Sequence, residues 1–306
     1  MIEAKWRYRK FNRYLRETFG EKVFRVGLLG GFTCPNRDGT IGSGGCTFCN
    51  PKSTEPFDFV AGESIEKQLI RGMNYTRSRH GAKKFMAYFQ DYTTTYGNVT
   101  ELEALYRAAI SQPEVVGLAL TTRPDSLPRQ VLKLLARMAK ETFVWVELGV
   151  QSANDKSLAT INRCHDVKLS QEAISALHEC GVTVSAHVII GLPGESIDEE
   201  RKTAAFVREN GVEAVKIHNL HVLRDTPLAK QYEDGQFTPM TLPEYVDRVI
   251  SFLEELPASV VIQRLAGDAP HRFTLAPKWA MNKMAVLNEI ERQLKERDSW
   301  QGKALA

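Results

Sequence analysis

The sequence predicts an α/β fold: a partial (β/α)6 TIM-like barrel followed by a small C-terminal α+β appendage. Three observations carry this. Apolar, strand-like runs alternate with helix-like segments through the first two-thirds of the chain. The runs are apolar at consecutive positions, as in strands buried on both faces, and such strands belong to parallel sheets covered by helices. There are six strand–helix units, fewer than the eight of a closed barrel.

In chain order, a basic and aromatic segment comes first, within residues 1–20. Residues 5–16 hold six basic side chains (Lys5, Arg7, Arg9, Lys10, Arg13, Arg16) interleaved with four aromatics (Trp6, Tyr8, Phe11, Tyr14). Two readings stand. The segment is either an RNA-binding arm, with Arg7, Arg9, Lys10 and Arg13 on phosphates and rings on bases, or an amphipathic helix with buried aromatics. The barrel is expected over 21–235. Its strands are expected at Val23–Leu29, Phe85–Phe89, Val115–Leu120, Phe143–Leu148, Val182–Ile190 and Ala214–Leu220, with helices at Ser64–Tyr75, Thr100–Ile110, Arg129–Lys140, Gln171–Glu179 and Ile197–Arg208. Glycine-containing stops at Cys180-Gly181 and Asn210-Gly211 end two of these helices. The appendage, 236–306, reads as a helix at Glu244–Glu255, an apolar run at Val260–Ile262, a polar loop from Arg264 to Arg272 and a final helix from Lys283 to Arg297.

Composition excludes several classes. A chain of 306 residues, 43% hydrophobic and 25% charged, is of ordinary globular make-up. A net charge of +3 does not by itself imply a polyanionic partner. No apolar run approaches the roughly 18 residues of a membrane span, and Met1 to Lys10 lacks the apolar core of a secretory signal. The expected location is the cytoplasm, where thiols stay reduced. An odd count of five cysteines, three of them within sixteen residues, then points to metal and not to disulfides.

Those three, Cys34, Cys46 and Cys49, have the spacing C-x11-C-x2-C and follow the first expected strand. Thiolates hold iron–sulfur clusters, and a four-iron cluster has four irons to bind. Three thiolates on one loop leave one iron for a small molecule. A zinc site completed by a histidine is the competing reading, although zinc sites usually take closely spaced ligand pairs and no second pair is present. Cys164 and Cys180 lie in or beside expected helices and read as small apolar residues. The other strand ends are polar or glycine-rich: Gln90-Asp91-Tyr92, Thr121 to Asp125, Glu147 to Ser152, Gly191 to Glu195 and His218 to His221. In β/α barrels chemistry collects at this end. Glu147 and Gln151 share one side of their strand. His165 reads more readily as a packing or surface residue than as a base. Arg264, Asp268, His271 and Arg272 have two readings, the substrate side of the mouth or a surface loop.

With the cysteine loop and strand ends in place, residues 20–235 resemble radical S-adenosylmethionine (SAM) enzymes. The barrel is similar to that of the catalytic subunit of Elongator through Thr122-Arg123-Pro124-Asp125, Val146 to Ser152, Arg163 with His165, Gly191-Leu192-Pro193-Gly194 and Val215-Lys216-Ile217-His218. Almost the whole chain resembles the bacterial YhcC/YtqA family, through Gly30 to Thr40 and Leu275-Ala276-Pro277-Lys278-Trp279. The resemblance implies a [4Fe–4S] cluster on Cys34, Cys46 and Cys49, SAM on the fourth iron, and reductive cleavage of SAM to methionine and a 5′-deoxyadenosyl radical that takes a substrate hydrogen. It implies SAM contacts from Phe48, Gln151, Arg163, His187 and Gly191. The family's Gly-Gly-Glu after the second strand is replaced by Phe89-Gln90-Asp91, so Gln90 is expected to substitute, with Asp91 as its alternative. Glu147 is also expected at the cofactor. Arg123, Arg264, His271 and Arg272 are the substrate candidates, and no catalytic acid or base is named.

The resemblance further implies tRNA as partner, with wobble-uridine side-chain chemistry such as trimming carboxymethylaminomethyl-uridine to aminomethyl-uridine. It also implies an external electron donor of the flavodoxin or ferredoxin type. No acetyltransferase-length segment follows the barrel and no second cysteine trio precedes it, which argues against acetyl-CoA chemistry and methylthiolation. The alternatives are a radical SAM enzyme acting on a small metabolite or porphyrin, and a non-enzymatic iron–sulfur or zinc protein.

Overall fold

The computed structural model describes residues 6–54, 60, 62–268 and 270–306; Lys5 of the basic segment lies outside them. In chain order the principal elements are α1 (Phe11–Phe19), β1 (Val23–Leu28), α2 (Ile65–His80), β2 (Lys84–Phe89), α3 (Val99–Ala109), β3 (Val115–Thr122), α4 (Arg129–Glu141), β4 (Phe143–Gln151), α5 (Asp155–Thr160), α6 (Val167–Glu179), β5 (Thr183–Ile190), α7 (Ile197–Glu209), β6 (Ala214–Asn219), β7 (Val222–Leu223), α8 (Pro227–Glu233), α9 (Leu242–Glu254), β8 (Val261–Arg264), β9 (Thr274–Ala276) and α10 (Lys283–Glu296). Local chemistry marks many ends. Ser196 with Glu199, and Thr241 with Glu244, form capping boxes on α7 and α9.

One sheet runs β1-β2-β3-β4-β5-β6-β8, every neighbouring pair parallel. It curls into an open half-barrel. The expected six strands are thus extended by a seventh, taken from the segment beyond residue 236. Val261 and Ile262 are buried and pair with Ala214 and Val215 of β6. Periodicity could not announce a strand of four residues.

The two faces of the sheet differ by the alternation of strands. Outward residues such as Leu28, Phe89, Leu120, Val146, Val188 and Ile217 pack against the helices as the main core. Inward residues near the strand starts, among them Met86, Ala119, Trp145, Ala214 and Val261, pack with Phe11 and Leu15 of α1. The first helix therefore stoppers the end of the barrel opposite the cysteine loop. The preceding segment edges β8: Ile262 N–H donates to the Arg9 carbonyl (2.8 Å), and Lys10 bridges Ile262 in parallel sense. Phe11 in the helix and Tyr8 just before it are buried, as the amphipathic reading expects, but the helix itself begins only at Phe11.

One turn further up the interior lies a polar layer. Glu147 is completely buried; its Oε1 accepts from Arg25 (3.1 Å) and Gln263, and its Oε2 from Lys216 (2.5 Å) and Tyr88 (2.8 Å). Lys216 also donates to the Tyr88 hydroxyl (2.9 Å). Burial opposes ionisation of Glu147, yet Lys216 and Arg25 draw its carboxyl down to about 2. Among the described residues no helix is long and apolar enough to cross a membrane.

Candidate cofactor site at the barrel mouth

The cysteine loop leaves β1 and is pinned on both sides. Behind it, the Thr93 N–H donates to the Thr33 carbonyl (3.2 Å); burial pushes the nearby Asp91 carboxyl up to about 6, against the opposing pull of the backbone at Gly30, Phe32 and Gly31. Ahead of it, the fully buried Asn36 amide donates to the Asn162 carbonyl (2.7 Å) and stands 3.8 Å from the Cys46 sulfur. Asn162 returns a bond from its own amide to the Gly45 carbonyl (2.9 Å), and Thr47 N–H meets the Ile161 carbonyl (3.0 Å). The loop is thus docked on the α5–α6 connection. At Gly45, with φ +83°, a Cβ would lie 2.7 Å from the Arg37 guanidinium, which donates to the Cys49 carbonyl (2.5 Å). Only glycine lets that clamp close.

Three thiols therefore face one locality. Burial raises the Cys49 thiol, the neighbouring Cys46 and Cys34 raise it further, and Arg37 opposes them. Among the described residues no three His, Cys, Asp or Glu side chains are grouped to hold a single metal ion; in a four-iron cluster each thiolate binds its own iron.

Strand β4 ends in an irregularity between Leu148 and Gln151, and Gln151 takes φ +68°, unusual outside glycine. This turn brings Gln151 beside Arg163. A Cβ on Gly149 would meet the Arg163 Nη2 at 2.4 Å and the Gln151 amide at 2.8 Å. Arg163 donates to the Gly149 carbonyl (2.8 Å) and stands 3.6 Å from the Cys46 sulfur. Gln151 Oε1, Arg163 Nε and Arg123 Nη1 are buried with no partner among the described residues. Buried polar atoms are rarely left unmet. An unmet acceptor and unmet guanidinium donors beside three thiols fit a ligand carrying both an ammonium and a carboxylate, as the methionyl end of SAM does.

The other expected residues are distributed as follows. Phe48 is half-buried and packs against the apolar cluster that includes Leu158, Ile161, Ile189 and Leu192. Gln90 is half-buried at the end of β2. Gly191, φ +95°, donates its N–H to the buried Glu200 (2.9 Å). His187 lies inside the barrel, stacked on His218 with ring centres 3.8 Å apart. Glu147 lies in the polar layer with both oxygens engaged. Arg123 holds Asp125 (2.6 Å) and the Arg163 carbonyl (2.6 Å), which makes it a support for Arg163. Arg264 reaches His218 inside the barrel (2.5 Å), whereas His271 and Arg272 are exposed on the loop before β9, with Arg272 over the Phe273 ring. His165 packs beneath the site, where burial and Arg163 lower its pKa to about 4.

Arg7, Arg9, Lys10 and Arg13 are at the stoppered end. They bond Asp298 (2.7 Å), the Ser259 carbonyl (2.7 Å), Glu291 (2.7 Å) and Glu17 (2.6 Å) respectively. Sequence reasoning missed Asn36, Asn162, Tyr88 and Lys216. Asn36 sat in the quoted motif without a role, and the polar layer depends on which strands face each other.

A half-barrel of parallel strands with a three-cysteine loop after β1 defines the class, and residues 36–207 match the Radical SAM superfamily while 212–296 match the Radical_SAM C-terminal domain. The chain belongs to the radical SAM superfamily, and its cofactors are a [4Fe–4S] cluster and SAM. Within it the chain is 39% identical to YtqA of Bacillus subtilis, over 97% of this chain and 92% of that protein. It is also 32% identical to a tRNA uridine(34) acetyltransferase of Methanocaldococcus infernus, over 51% of this chain and 29% of that protein. The fold superposes on the archaeal Methanocaldococcus infernus Elp3 with a TM-score of 0.71 at 18% identity, covering 91% of this chain and 64% of Elp3.

An Arg163→Ala protein is expected to keep its iron and to bind SAM roughly 10- to 100-fold more weakly, the worth of a charge-assisted pair. Equilibrium titration of the reconstituted protein with SAM checks this; equal affinity refutes the role.

Proposed function

We propose that this protein is a cytoplasmic tRNA-modifying enzyme that processes the 5-side chain of a wobble uridine, converting carboxymethylaminomethyl-uridine to aminomethyl-uridine: the carboxymethyl methylene gives up one hydrogen atom to the SAM-derived radical and one electron to the external electron carrier, and water hydrolyses the resulting imine, so that the two-carbon group leaves as glyoxylate. The observation that carries the reading is the likeness of half the chain to a tRNA uridine(34) acetyltransferase, taken with a barrel mouth built for SAM. When bound, the cluster and SAM supply the radical that takes a hydrogen from the substrate. Cys34, Cys46 and Cys49 hold the cluster, Gln151 and Arg163 orient SAM, and the α1 stopper keeps solvent from the lower end. An electron donor of the flavodoxin or ferredoxin type delivers the electron.

The test is mass spectrometry of nucleosides from total tRNA of cells with and without the gene. Accumulation of carboxymethylaminomethyl-uridine on deletion supports the reading; identical profiles refute it. One observation favours a small-molecule substrate instead: the basic side chains at the N-terminus have internal partners and lie at the end away from the mouth. Charge reversal at Arg9 and Arg13 decides whether they touch RNA. If they do, tRNA affinity falls several-fold at low salt and much less at high salt. Equal affinity at both salts assigns the segment to packing.

A further inference from the structure

We infer that Arg264 and His218 form a carboxylate-binding subsite inside the barrel, which holds the acidic end of the substrate. The inference rests on the reading above for the identity of the substrate and on its own geometry for the subsite.

Arg264 ends β8 and His218 lies near the end of β6, above the Glu147 layer and toward the mouth. The Arg264 Nη2 is 2.5 Å from His218 Nδ1. A guanidinium can only donate, so Nδ1 accepts and the imidazole proton sits on Nε2. That Nε2–H is buried with no partner among the described residues, and so is the Nε–H of Arg264. One coupled pair thus presents two unmet donors in the interior. Such donors are costly unless an acceptor arrives.

Neighbouring groups sharpen the requirement. His187 stacks on the His218 ring and fixes its plane. A Cβ on Gly267 would lie 2.8 Å from His218 Nδ1 and 3.3 Å from Arg264 Nη2, so the backbone passes too close for any side chain. The charge is also lopsided. Among the described residues, Arg25, Lys216 and Arg264 face one carboxylate of the barrel interior, Glu147, whose oxygens are already engaged by Arg25, Gln263, Lys216 and Tyr88. Asp268 acts on Arg264 from outside and is itself paired with Lys283. His221 bonds Asn219 (3.0 Å), and Asn219 in turn takes the Gly267 N–H (2.9 Å), so neither supplies the missing acceptor. An anion is the complement, and a carboxylate matches an arginine edge with an adjacent imidazole N–H. A carboxymethylamino side chain ends in that group; its aminomethyl product lacks it.

The experiment uses the reconstituted holoenzyme without reductant. Two anticodon stem-loops are titrated, one with carboxymethylaminomethyl-uridine and one with aminomethyl-uridine, into wild type, Arg264→Gln and Arg264→Lys. Wild type is expected to prefer the first by about 10- to 100-fold. Arg264→Gln should abolish the preference without changing affinity for the aminomethyl stem-loop, and Arg264→Lys should retain part of it. In parallel, N-methylglycine is titrated against the imidazole 15N signal of His218. A saturable shift in wild type that is absent in Arg264→Gln supports the subsite even if neither stem-loop binds, an outcome that sinks only the tRNA reading. A preference that survives Arg264→Gln overturns the inference. So does a loss of SAM affinity in that variant, which would give the carboxylate to SAM, and so does the absence of an N-methylglycine shift when the stem-loops do not bind.

Discussion

A Cys46→Ala protein is expected to assemble no stable cluster: iron and sulfide fall to background after anaerobic reconstitution, and reductive SAM cleavage falls with them. Cys46 is the buried member of the trio, with Arg163 and Asn36 both aimed at its sulfur. Its loss leaves one iron without a thiolate and leaves a guanidinium facing an empty space. The fold should survive, because the loop is pinned by Asn36, Asn162 and the Thr93–Thr33 backbone bond and not by the thiol. Cys164→Ala is the matched control. Cys164 is exposed, at φ +61°, and its thiol donates to Asn36 Oδ1 (3.2 Å); iron content should be unchanged. Wild-type iron and turnover in Cys46→Ala would sink the assignment of the trio.

Glu147→Gln should be among the most destabilising single changes in the barrel, by about 3–5 kcal/mol in urea unfolding at neutral pH. The substitution strands Lys216 and Arg25 in the interior without their counter-ion. The pH dependence carries the same signature. The folded carboxyl is held at about 2, below its unfolded value, so the unfolded chain binds the extra proton. The stabilisation is complete above the unfolded pKa and is lost as pH falls toward about 2. The gap between wild type and variant should therefore be full at pH 7 and narrow progressively below about 4.5. The double variant Glu147→Gln/Lys216→Met should recover part of the loss, since removing both partners strands no charge. A gap that is small at pH 7, or constant down to pH 3, would free Glu147 for the cofactor role that its strand position suggests.

Much of the barrel was legible because its strands are buried on both faces. Val115–Thr122 and Phe143–Gln151 start at the residues the apolar runs mark, and they run on into the polar ends that the runs could not include. Helices α4 and α7 begin at the expected Arg129 and Ile197. The cysteine loop was legible because thiolate spacing is local. Less legible was anything that depends on residues meeting across the barrel. Glu147 looks like a mouth residue from its neighbours in sequence; its place in the polar layer depends on Arg25, Tyr88, Lys216 and Gln263, which come from four other strands. Arg264 and His271 sit in one polar run, yet the first turns inward with β8 and the second rides an exposed loop. The edge strand itself escaped because four residues are too few for a period to show.

The segment that edges β8 also sets a timetable. Arg7 bonds Asp298, 291 residues away, and Arg9 N–H bonds the Gln301 side chain, 292 residues away. At ribosomal speeds of about 5–20 residues per second, roughly 15–60 s separate the making of these partners. The cysteine loop emerges early in that interval, while the strand that the N-terminal segment borders and the residues that anchor it emerge at its end. The chain cannot fasten its N-terminal segment until Asp298 and Gln301 have been made, so the thiols spend that interval on a nascent chain whose lower end is still open.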